Sequence, residues 1–136
     1  MSYKVFGWLN VFLLGIQLLP YLLVLLNKHV FHTKNETYRT IIKGLRKYHK
    51  HTAVLFVISS LIHGYMALFG VIRLHTGTIL FASIVLTVIV GYGFYKRKKK
   101  ELLNVHKVMA LVVVALFLVH FFVPNFVFYL QRALNP

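Results

Sequence analysis

The chain contains no cysteine, only two acidic residues and only three prolines. Without cysteine there is no disulfide scaffold, no thiolate metal site and no covalent haem attachment through Cys-x-x-Cys-His. Both acids, Glu36 and Glu101, lie outside the long apolar runs. That argues against a site for hard divalent cations, which want carboxylate oxygens, and against a proton relay built on membrane carboxylates. Neither His-Glu-x-x-His nor Gly-x-Ser-x-Gly occurs, so the zinc-protease and serine-hydrolase motifs are missing. There is no glycine-rich phosphate loop, no low-complexity linker and no second domain; residues 1–136 read as one unit.

What is present is apolar surface and positive charge. Of 136 residues 59% are hydrophobic, mean hydropathy is +0.74 and net charge is +14. A soluble domain of this size has too little interior to hide so much apolar surface. A disordered chain would be poor in aromatics and β-branched residues. Four runs carry no Asp, Glu, Lys or Arg: 5–26, 52–72, 76–95 and 108–130, each of 20 to 23 residues. A helix needs about 20 apolar residues to cross the hydrocarbon core, and barrel strands would be shorter and alternating. The expectation is an all-α, four-helix transmembrane bundle. Helix 1 runs over about 5–26, a basic cytoplasmic loop over 27–48, helix 2 over 49–72, helix 3 over 76–95 and helix 4 over 102–130. Helix 1 is long for a signal peptide, has only Lys4 before it and lacks a small-x-small cleavage site. A bend is expected at Pro20 and a kink at Pro124. The stretch 40–48 mixes apolar and basic residues at helical spacing, so it either lies on the membrane surface or extends helix 2 into the cytoplasm.

Charge sets the orientation. Lys4, Arg73 and Arg132 fall on one side. The other 13 positives, at 28, 34, 39, 43, 46, 47, 50, 96–100 and 107, fall on the other. The positive-inside rule places the heavier side in the cytoplasm and both termini outside, in a bacterial cytoplasmic membrane. The basic excess is explained by topology, so the expected partner is the lipid bilayer, with its anionic headgroups, rather than nucleic acid.

The ionisable residues within the spans are histidines, and such residues are functional candidates. His49 and His63 lie 14 residues apart on helix 2, and His106 and His120 lie 14 apart on helix 4. Fourteen residues rise about 21 Å and fall about 40° short of four whole turns. Each pair therefore projects from nearly one face at two depths. With helix 3 between them, helices 2 and 4 run parallel, so His49 sits level with His106 and His63 with His120. Two imidazoles facing each other from two helices are what the iron of a bis-His haem needs. Lys50 and Lys107 each follow the cytoplasmic histidine and are placed to reach haem propionates; ordinary positive-inside charge explains them as well. His51 is about 120° out of phase with His63 and points elsewhere. His75 belongs to the outer loop, by a propionate or solvated. His29 and His32 are too few for a metal site. Gly7, Gly15, Gly91 and Gly93 would thin helices 1 and 3 where a macrocycle approaches, or serve close helix packing.

This His-x13-His pattern on two parallel membrane helices resembles di-haem cytochrome b, as found in quinol-oxidising complexes and in the transmembrane domain of ferric reductases and NADPH oxidases. The resemblance covers about His49 to His120. It implies two haem b groups on His49/His106 and His63/His120, transmembrane electron transfer, and a cytoplasmic flavoprotein or a quinone as electron donor. Such a chain would be an oxidoreductase component with the acceptor unspecified. The competing readings are a His-based divalent-metal-binding or transport protein and a cofactor-free membrane anchor.

Overall fold

A computed structural model of the chain describes residues 3–71 and 74–134. Among the described residues it contains helices and turns and no strand. The expected outer-loop charge Arg73 lies outside the described residues, as do the last residue assigned to helix 2 and the chain ends. The chain divides after His63 into two compact units.

In the first unit, α1 runs over Tyr3–Leu26 and continues as a π-helical turn, Asn27–Phe31. Pro20 is buried and lies inside α1 without ending it. The turn closes on His32 in the left-handed region, with Asn27 bonded to the backbone of Thr33 through both ends of its amide. The chain then enters α2, Glu36–Ala67, and Asn35 Oδ1 accepts from Thr37 N at the helix start. Glu36 in the first turn complements the helix dipole. α2 thus begins 13 residues ahead of the expected position 49: of the two readings of the basic stretch 40–48, continuous helix is the one found. The Lys and Arg residues there are good helix formers. α1 and α2 run antiparallel. Tyr38 OH donates to Leu23 O at 2.6 Å, Gln17 Nε2 donates to Thr52 Oγ1 at 3.0 Å, and His63 reaches Tyr3.

α2 also stops earlier than expected, at Ala67 rather than 72. Phe69 and Gly70 both take positive φ, and Gly70 N bonds back to Tyr65 O, a Schellman-type ending. In the second unit, α3 (Thr76–Arg97) and α4 (Lys100–Phe122) form an antiparallel hairpin through a two-residue turn in which Lys98 is left-handed. Thr76, Leu80, Ile84 and Thr87 are buried along one face of α3, and Val113 is buried on α4. The expected helix over 102–130 is interrupted. α4 ends at Phe122 and α5 covers Phe126–Leu134. Pro124 has no N–H to return to the carbonyl four back, and it forces Val123 out of helical geometry (φ −133°, ψ 65°).

Among the described residues three helical stretches are long and apolar enough to cross a membrane: Tyr3–Phe31, Thr76–Arg97 and Lys100–Phe122. Four were expected. α2 falls short because its first half is basic and its apolar half ends at Ala67 and contains His51, Ser59, Ser60 and His63. Large apolar side chains point outward throughout, among them Trp8, Phe12, Leu55, Leu61, Leu86, Ile89, Leu111 and Leu118.

Candidate functional site

The four histidines lie on the seams where their helices meet a neighbour within the same unit. On α2, His49, Thr52, Phe56, Ser59 and His63 recur at heptad-like spacing, with Phe56 and Ser59 buried. On α4, His106, Val113 and His120 do the same, with Val113 buried. Each helix therefore carries a histidine, a buried apolar residue seven positions on, and a second histidine seven further. The apolar residue lies about 10.5 Å along the axis from either imidazole. All four histidines are half-buried.

Three of them share a glycine under the ring and an oxygen on Nδ1. His63 Nδ1 lies 2.9 Å from Tyr3 O, and its ring rests on Gly7, where an added Cβ would be 3.2 Å from Cε1. His106 Nδ1 lies 3.0 Å from Thr87 O, and its ring rests on Gly91, where a Cβ would be 2.9 Å from Cε1. In both, the accepting carbonyl is four residues before the glycine. That relation has a simple cause. A helical carbonyl points along the axis toward residue i+4, so a ring approaching it from outside must cross the position of that residue's Cβ. Glycine clears the way. His120 uses a variant. Its ring rests on Gly77, with a Cβ position 3.0 Å from Cε1, and its Nδ1 lies 2.9 Å from Thr76 Oγ1. Gly77 is only the second residue of α3, so the residue four back precedes the helix. The buried Thr76 hydroxyl takes the carbonyl's place, and it donates in turn to Pro124 O at 2.7 Å.

These bonds fix the tautomer. A carbonyl can only accept, so the Nδ1 of His63 and of His106 carries the proton, and the neutral ring keeps its lone pair on Nε2. The Thr76 hydroxyl spends its single proton on Pro124 O and so accepts from His120 Nδ1–H, with the same result. An Nδ1–H held by an oxygen, with Nε2 as the basic nitrogen, is the usual arrangement of a metal-ligating imidazole. The donor chemistry therefore fits an axial haem ligand. His49 lies at the opposite end of the α2 seam, where Gln17 Nε2 reaches its backbone carbonyl at 3.3 Å.

The remaining candidates fall into place around these. Lys50, Lys107 and His51 are exposed. His75, expected in a solvated loop or by a propionate, caps the start of α3: its Nδ1 accepts from Gly77 N, and its ring meets that of His120 edge-on with centroids 5.8 Å apart. It also borders an open cavity of about 700 Å³ lined by Leu68, Leu74, Asn125, Phe128 and Gln131. Gly7 and Gly91 do admit a close neighbour, and it is an imidazole. Gly15 faces nothing within 4 Å, and Gly93 has only Leu102 at 3.8 Å. Nothing in the sequence pattern marks Thr76, whereas Gly77 and Gly91 are 14 residues apart, the interval of His106 and His120. Among the described residues no group of three or more His, Asp or Glu side chains is assembled for a metal ion. Comparison with protein-family models, with curated proteins and with solved structures gives no match.

Proposed function

We propose that the chain is a four-helix membrane cytochrome b that carries single electrons through two bis-His haem b groups. The observation that carries this reading is the repeated cradle: His63, His106 and His120 each have a glycine under the ring and an oxygen on Nδ1. Three like-built imidazoles, two of them 14 residues apart on α4, present the same nitrogen as a ligand. The glycine seats each ring against its neighbouring helix, and the oxygen on Nδ1 leaves Nε2 as the basic nitrogen, the arrangement an iron-ligating imidazole uses.

In this reading the apolar halves of α1, α2, α3 and α4 cross a bacterial cytoplasmic membrane with both chain ends outside. The basic first half of α2 and the 96–100 turn face the cytoplasm. His49 pairs with His106 near the cytoplasmic surface, and His63 with His120 in the outer half. Phe56 and Val113 occupy the level between the pairs. Lys50 and Lys107 sit at the cytoplasmic level, where a propionate would gain a charge-assisted partner. Haem held by these histidines would supply reversible one-electron chemistry. The chain's own part is to hold the imidazoles and set their tautomer. The electron donor is a cytoplasmic flavoprotein or a quinone.

Ligand variants test the pairing. His63→Ala is expected to lose the outer haem and keep the inner one, and His106→Ala to do the reverse, each giving about one haem per chain by pyridine-haemochrome assay. His51→Ala is expected to keep both. Full haem content in either ligand variant would overturn the assignment.

A further inference from the structure

We infer that the Thr76 hydroxyl tunes His120 as an axial ligand, and so sets the potential of one haem apart from the other; the inference rests on the haem reading above. Three observations carry it. First, His120 is anchored differently from its counterparts: His63 and His106 donate to main-chain carbonyls of a neighbouring helix, whereas His120 donates to a side-chain oxygen. Second, that oxygen is not an isolated hydroxyl. Its proton is committed to Pro124 O at 2.7 Å, in preference to the 3.4 Å approach of His75 Nδ1. A hydroxyl that donates becomes a better acceptor, so the chain His120 Nδ1–H to Thr76 Oγ to Pro124 O is mutually reinforcing. Third, Thr76 is only 5% exposed, and Gly77 brings the backbone hard against the ring. A water has little room to replace the hydroxyl.

The acceptor on Nδ1 governs how electron-rich the ligating Nε2 is. A strong acceptor pulls the Nδ1 proton away, makes the imidazole a better donor and favours ferric over ferrous iron. Pro124 enters the same chain for a structural reason. The break it imposes between α4 and α5 takes its carbonyl out of a continuous helical ladder and turns it toward α3. Thr76 is thus a positioning and tuning residue, and no part of the ligand set.

The test is a potentiometric titration of the haem-loaded protein with Thr76 unchanged, Thr76→Val and Thr76→Ser. Thr76→Val is expected to keep two haems per chain and to raise one midpoint potential while leaving the other in place. A tenfold loss of ferric preference, the lower end of typical second-shell effects, reads as about 59 mV for a one-electron couple. Thr76→Ser keeps the hydroxyl and is expected to titrate like the parent. Thr76→Ala removes the hydroxyl without adding a methyl branch and gives the same reading should the valine variant not accumulate. Unchanged potentials in a two-haem valine or alanine variant would overturn the inference and leave the haem reading standing. So would retention of haem by the serine variant alone, because the hydroxyl would then hold the ligand rather than tune it. A parent protein free of haem would overturn both.

Discussion

The most informative perturbation is a single methyl group at Gly91. In Gly91→Ala the new Cβ would lie 2.9 Å from His106 Cε1 and 3.0 Å from Nδ1. Carbon atoms settle at about 3.5–4.0 Å, so the ring must retreat by roughly 0.6–1.1 Å. The bond from Nδ1 to Thr87 O is 3.0 Å long, and a retreat of that size along it takes the pair to about 3.6 Å or more, beyond hydrogen-bonding range. The helix itself gains, because alanine is better than glycine in a helix interior by about 0.8–1.0 kcal/mol. The two effects therefore separate. On the proposed haem reading, the apoprotein is expected to be at least as helical and as abundant as the parent, and haem at the His106 level to be held 10- to 100-fold more weakly, the range typical for loss of an outer-shell partner. Haem per chain and competitive transfer of haem to an apoprotein acceptor measure this directly. Gly15→Ala is the control, since nothing stands within 4 Å of its Cβ position, and it should be neutral for haem. Parent-like haem retention by Gly91→Ala would refute the reasoning that the glycine exists to seat the imidazole.

Further outcomes follow from the same geometry. Pro124→Ala lets the residue donate to the carbonyl four back and rejoin α4 to α5, which withdraws its own carbonyl from Thr76; one haem potential should shift in the same direction as in Thr76→Val, as read by potentiometric titration. Gly7→Ala, with its Cβ position 3.2 Å from His63 Cε1, should weaken the outer haem less than Gly91→Ala weakens the inner one, as read by haem retention. Reduction of the protein in vesicles by a soluble flavoprotein should slow as salt rises, because all five side chains of the 96–100 turn are cationic and exposed. A rate independent of ionic strength would remove electrostatic docking from the account.

Much of the helical framework can be read from residue order alone, and the exceptions have identifiable causes. Charge-free runs mark α1, α3 and α4, whose bounds depend on burying apolar surface over some twenty residues. The start of α2 is hidden because Lys and Arg between 36 and 50 look like a loop when only hydropathy is followed, yet they are good helix formers. Its end is hidden because Phe69 rather than glycine takes the left-handed position, so the stop signal is Gly70 one residue later. Pro124 announces a kink and delivers a full break. At the site, the four histidines stand out through their spacing. Their partners do not, because a main-chain carbonyl has no residue type; only the glycine four positions on betrays it. Thr76 is concealed for a different reason. It resembles a helix cap by composition, but His75 takes the cap, which leaves the Thr76 hydroxyl for His120.

The central claim is that this chain holds two haem b groups on four histidines. The most direct test is a dithionite-reduced minus oxidised spectrum of the purified protein, with haem quantified per chain as the pyridine haemochrome. The account predicts the split absorbance of low-spin b-type haem and a value near two. A value near zero from haem-replete cells would contradict it.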